Sequence, residues 1–184
     1  MSEKKSNLLF VTGKVLKAMF ITGFCAMIFA GISGCRDSNL ISSSYNATDM
    51  LIGQIKPPLI PDQAILVASF VNIDNLEESS TFGRTISEYI ASRLTQNGYK
   101  VVEMKLRKSV FMKKDAGEFV LSRDLDEIKT RHNAQSIVLG TYSAAKSVVY
   151  ISARMVRLSD NTVMASYGYK LPVGKDTRQM LGAD

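Results

Sequence analysis

Asp124, Asp126 and Glu127 crowd three carboxylates into one short stretch, and His132, the chain's single histidine, follows a few residues later. Converging carboxylates could hold a divalent cation, and an imidazole titrating near neutrality could serve as a general base. A structural role explains both more simply. Ser122 is placed to cap a helix, whose positive end suits acidic side chains in the first turn. His132, near the other end of that helix, suits its negative pole. Gly174-Lys175-Asp176-Thr177 matches the close of a phosphate loop, but the first glycine and a following helix are missing, so 173–184 reads as a flexible tail. No G-x-S-x-G, H-E-x-x-H or G-x-G-x-x-G occurs in the sequence. The chain is therefore read as non-enzymatic, with no catalytic residue, metal or cofactor.

Recognition chemistry is better represented. Tyr142, Tyr150, Tyr167 and Tyr169 fall on neighbouring predicted strands, together with Arg154. Tyrosine and arginine are favoured interface anchors, which makes Tyr142, Tyr150, Arg154 and Tyr167 candidates for binding a partner. The same tyrosines could equally pack beneath a helix. Deciding between these readings needs the register of the last hairpin. A two-residue turn at Asp160-Asn161 pairs Arg154 with Tyr167; a three-residue turn pairs it with Gly168 and moves the tyrosines to the other face.

The remaining chemistry lies at Cys35. Lys4, Lys5, Lys14 and Lys17 form a basic start, and no charge occurs from Ala18 to Cys35, the layout of a secretory signal. The apolar stretch is short for a membrane span of ~20 residues. Ile32-Ser33-Gly34-Cys35 resembles the bacterial lipobox, in which the cysteine becomes the new amino terminus and carries a diacylglycerol on its sulfur and an acyl chain on its amine. Two or three buried chains hold a protein firmly to a bilayer, whereas one binds marginally. An uncleaved span is the alternative. Arg36 stands where many lipoproteins retained at the inner membrane have Asp, so by this resemblance the expected destination is the outer membrane. On this reading Cys25 leaves with the signal and Cys35 is acylated, which excludes disulfides and Cys metal sites.

Four of the 23 basic and one of the 17 acidic residues lie in 1–34, leaving 19 and 16. So small an excess gives no reason to invoke nucleic acid. The remaining length suits one domain, preceded by the signal at 1–34 and a short tether at 35–44.

The elements that must position these residues follow from periodicity. Ala47, Leu51 and Ile55 recur at every fourth residue, so Tyr45 to Ile55 reads as a short amphipathic helix stopped by Pro57-Pro58. "AILVASFV", 64–71, is an apolar run suited to a central strand covered on both faces. Ser79, Ser80 or Thr81 opens a helix in which Phe82, Ile86, Ile90 and Leu94 share one face. Asn97-Gly98 ends it. "YKVVEM" supplies the next strand, parallel to the first by the right-handed crossover. Residues 105–120 fit either a basic loop or another short strand. "SIVLGTY", "VVYISARMVRL" and "TVMASYGYKL" form a closing meander. The fold class is α/β, a single compact domain with a mixed sheet, a β-α-β start and an antiparallel carboxyl-terminal meander, helices packed on the sheet.

"LEESSTFGR" (76–84), "GEFVLSRD" (117–124), "GTYS" (140–143), "SARMV" (152–156) and "ASYGYKLP" (165–172) resemble, in order and spacing, the FlgO domain family, over about 45–172. The resemblance implies an outer-membrane lipoprotein associated with flagella and motility, its domain similar to the amino-terminal domain of TolB and to CsgG-like domains. The partners it implies are the membrane, through the acyl chains, and envelope or flagellar proteins. Alternatives are an LpoB-like activator of a cell-wall synthase and a CsgG-like secretion component. The short tether argues against the first, and charges on both faces of the last hairpin argue against the second.

Overall fold

The computed structural model describes residues 39–76, 79–104 and 123–182, the side chains of 123–126 excepted. They belong to a compact unit spanning Asp37–Asp184. Cys35, the 105–122 stretch with Ser122, and the carboxylates of Asp124 and Asp126 lie outside what is described.

Strand β1 (Ala64–Ala68) is buried at every position. Only a strand covered on both faces can be apolar throughout, and β1 lies inside the sheet. It pairs in parallel with β3 (Val101–Met104) on one side and β4 (Ala134–Ala144) on the other, Leu66 opposite both Val102 and Ile137. β5 (Val148–Arg157) and β6 (Val163–Pro172) continue antiparallel from β4. The order is β3-β1-β4-β5-β6, the mixed sheet the sequence predicts.

The expected single strand over 64–71 is interrupted. A separate two-residue strand, β2 (Val71–Asn72), pairs in parallel with β4. Between Val67↔Val138 and Val71↔Thr141 one extra residue is accommodated on the β1–β2 side. The backbone of Phe70 leaves the sheet there, its N–H donating to the Gly83 carbonyl at 3.3 Å.

One face of the sheet carries helices α1 (Leu40–Gln54) and α2 (Thr81–Gln96) over Ile65, Val67, Val138, Ile151, Ala153 and Met155. The predicted stripe of α2 is fully buried at Phe82, Ile86, Ile90 and Leu94. Ser80 caps α2 by accepting from Gly83 N–H at 3.2 Å. At the other end Gly98 takes φ +84°, and Tyr99 N–H returns to the Leu94 carbonyl. This is the left-handed stop expected of Asn-Gly. Arg93 ties the two helices together through both carboxylate oxygens of Asp49, at 2.8 and 2.9 Å. Its guanidinium is the main reason the Asp49 carboxyl lies below its usual range. Helix α3 (Arg123–His132) lies on the other side, where Ile128 packs with Leu66, Ile137 and Leu139.

Two boundaries differ from expectation. Helix α1 begins at Leu40, not Tyr45, so the second half of the expected 35–44 tether is helical. The Asn39 side chain accepts from Ser42 N–H at 3.1 Å, and Leu40 is buried. Serines weaken a helix by competing for its backbone, but a cap and a buried apolar residue overrule them. The expected flexible tail also forms a helix over Lys175–Leu181 (α4), with Gly174 at its N-cap. Met180 and Leu181 pack against the main core, which gives this segment a reason to order.

The strings "TFGR" and "GTYS" meet. Phe82 and Tyr142 lie edge to face with centroids 5.4 Å apart, and Tyr142 donates its hydroxyl proton to Ser80 Oγ at 2.7 Å. A Cβ on Gly83 would overlap the Phe70 carbonyl, and one on Gly140 would overlap the Phe70 ring. Both glycines are there to admit Phe70, so the two strings mark a packing node.

Candidate partner-binding face

The β5–β6 register follows neither sequence alternative. Arg154 stands opposite Ser166. Arg157 N–H bonds the Thr162 carbonyl, and a register shift beside Met164 separates Met155↔Ala165 from Val156↔Val163. A four-residue loop, with Asn161 at φ 59°, and a one-residue bulge thus replace the simple turn.

This register sorts the four candidate residues onto two faces. Tyr142 and Tyr167 lie on the helix-covered side, whereas Tyr150 and Arg154 lie on the opposite one. Tyr142 is 3% exposed and held by Ser80, so it belongs to the core and cannot reach a partner. Tyr167 is half-buried under α1, stacks on Tyr169 at 5.9 Å and accepts a hydrogen bond from Asn46 Nδ2 at 3.3 Å. The packing alternative applies to both.

Tyr150 is 55% exposed. Directly across from it stand Ser143 on β4 and Lys170 on β6. The next row on the same face is Thr141, Ser152 and Gly168, and the row beyond is Leu139, Arg154 and Ser166. Leu139 is buried beside α3 while Ser166 is exposed, so half-buried Arg154 marks where the covered part of this face gives way to the open part. The open part is a polar β-surface with one large aromatic ring, cationic at Lys170 and Arg154 and without a carboxylate in these rows. An exposed aromatic beside a lysine, on a rigid sheet, can bind an acidic or polar protein surface at little entropic cost. Lys170 was not identifiable from sequence as the partner of Tyr150, because the β5–β6 bulge fixes that pairing, and Ser143 depends on the β4–β5 turn; Ser152 follows from the period of two along β5.

The residues weighed for catalysis do not assemble. His132 closes α3, next to Asn133 with φ 48°. The Glu127 carboxylate pairs with Arg131 one turn along the exposed side of α3. Among the described residues no three His, Cys, Asp or Glu side chains are placed to hold a metal. A helix does follow Gly174, contrary to expectation, but it is short and the first glycine of a phosphate loop is still lacking. No helix among the described residues is long and apolar enough to cross a membrane.

Comparison with known proteins adds the family. No curated protein matches the sequence. Among solved structures, the chain is similar to the LpoB C-terminal domain from Salmonella enterica, with a TM-score of 0.48 and 11% identity, covering 72% of this chain and 97% of that one. The E. coli LpoB C-terminal domain gives 0.48 and 11%, covering 74% and 99%. A PelC dodecamer subunit from Paraburkholderia phytofirmans gives 0.43 and 16%, covering 64% and 76%. No functional statement follows from values this low. The family model described as FlgO protein matches residues 45–176, from the first turns of α1 into α4. That match spans most of the sequence, and the chain belongs to the FlgO family.

Proposed function

We propose that this protein is a non-catalytic accessory lipoprotein of the bacterial envelope. Acyl chains on Cys35 hold it at the outer membrane, and it supports flagella and motility by docking an envelope or flagellar protein on the open face of β4–β6. The observation that carries the docking role is Tyr150, a large aromatic left 55% exposed directly across from Lys170 on a largely polar sheet face, with Arg154 two rows further along the same strand. Anchoring is supported by the lipobox-like Ile32-Ser33-Gly34-Cys35, and the flagellar role by family membership.

Only four residues separate Cys35 from Leu40, and fully extended they reach about 14 Å. So short a leash keeps the domain against its own membrane and disfavours the rival role of activating a synthase across the cell wall.

The test is swimming and membrane fractionation of cells carrying single substitutions at the native locus. Cys35→Ala should release the protein from the outer-membrane fraction and abolish its contribution to swimming. Tyr150→Ala should leave fractionation and abundance intact, weaken docking by about tenfold, the effect of losing a ~1.4 kcal/mol anchor, and measurably impair swimming. Full swimming in both strains would refute the proposal.

A further inference from the structure

A recess lies at the other end of the sheet from Tyr150, near the β5–β6 turn. Its volume is about 420 Å³, within the ~300–1,000 Å³ typical of ligand sites. One wall is the loop from α1 to β1, with Pro57, Pro58, Leu59 and Ile60. Gln135 of β4 fixes that wall: its amide oxygen accepts from Ile60 N–H at 2.8 Å, and its amino group donates to the Ile60 and Gln63 carbonyls at 2.7 and 3.0 Å. Opposite stand Lys129 and Asn133 at the end of α3, Arg157 and Ser159 at the β5–β6 turn, and Met164 at the bulge.

The two cations are already in position. Lys129 Nζ donates to the Leu158 carbonyl at 2.7 Å and keeps its full charge, whereas Arg157 Nη1 is ion-paired with the Asp160 carboxylate at 2.9 Å and so contributes further N–H donors more than net charge. Each bond uses one N–H, leaving the ammonium two further donors and the guanidinium four. Among the described residues the lining itself holds no carboxylate, with Asp160 reaching Arg157 from beside it; Ile60 stays 54% exposed at the wall, and Asn133 and Ser159 add neutral polar groups.

From these features we infer that the recess binds a short extended peptide ending in a carboxylate, its apolar side chains on Pro57, Ile60 and Met164 and its terminal charge on Lys129 and Arg157. Charge complementarity selects the carboxylate, and the amide and hydroxyl groups suit a peptide backbone. A pre-formed wall lowers the entropic cost of binding. The site is independent of the Tyr150 face.

The test uses the full chain in lipid nanodiscs with carbon-13 in its Met and Ile methyls, titrated with N-acetyl-leucyl-leucine as the free acid, its carboxamide, and octanoate. The Met164 and Ile60 methyl signals should shift saturably with the free acid. The carboxamide and octanoate should each bind at least about tenfold more weakly. Lys129→Met with Arg157→Gln should remove the preference for acid over amide while the core methyl signals stay in place. No saturation below about 10 mM, weaker than any useful site, would overturn the assignment. Equal binding of acid and amide would do so too, and octanoate binding as tightly as the peptide would overturn the peptide as ligand.

Discussion

Tyr169 shows how a residue that looks like an interface anchor can be a core residue with an unmet need. Burial pushes its phenol up to about 12, with Tyr167 adding to the rise and the nearby Ser44 hydroxyl offsetting part of it. Despite that proximity, neither the Tyr169 nor the Ser44 hydroxyl completes a hydrogen bond. The folded-state value lies above the unfolded one, near 10. The contribution to stability is therefore fully present below pH ~10 and lost as pH rises through about 12, a total of about 2–3 kcal/mol. Tyr169→Phe should abolish that alkaline loss. At pH 7 it should leave stability unchanged or raise it by about 1 kcal/mol, because an unsatisfied buried hydroxyl is removed. Urea unfolding at both pH values measures this; a loss above about 1 kcal/mol at pH 7 would show that the hydroxyl has a partner. From sequence, Tyr142, Tyr150, Tyr167 and Tyr169 are equivalent. Their fates diverge with face, and the face of Tyr167 and Tyr169 relative to Tyr150 depends on a bulge at Met164 that no residue type announces.

At the scale of elements, what was legible had a strong period. The stripe Phe82, Ile86, Ile90, Leu94 and the fully apolar β1 each specify one element and its covered faces, and the β-α-β handedness follows. What was not legible depends on distant partners. Leu40 extends α1 because it is buried, and Lys175–Leu181 orders where Met180 and Leu181 meet the core. The outer edge of β6 is another such case. Gln54, the last residue of α1, donates to the Ser166 carbonyl at 3.1 Å and accepts from its N–H at 3.3 Å, occupying both polar groups with one amide. Lys170 and Pro172 follow on the same strand, and both residue types discourage strand addition. Gln54→Ala should cost about 1 kcal/mol in urea unfolding and produce concentration-dependent association in sedimentation velocity. An unchanged midpoint with no association would mean that α1 covers this edge by packing alone.

For the whole molecule, the sheet divides the work. Its helix-covered face and the α3 side of β1 and β4 hold the fold together, while the outer part of β4–β6 is exposed among the described residues. Bulk composition pointed to one domain, and neither the remaining charge nor any motif pointed to catalysis. What no composition can supply is the distance from anchor to domain, which the early start of α1 reduces to four residues. With Cys35 acylated as proposed, so little chain would hold the open face close to its own bilayer, and the proposed role depends on that confinement. Intact-mass spectrometry of the protein purified from its native membrane tests this directly. The account predicts a chain beginning at Cys35 and carrying a diacylglycerol and an amide-linked acyl group; a chain beginning at Met1 with a free thiol would contradict it.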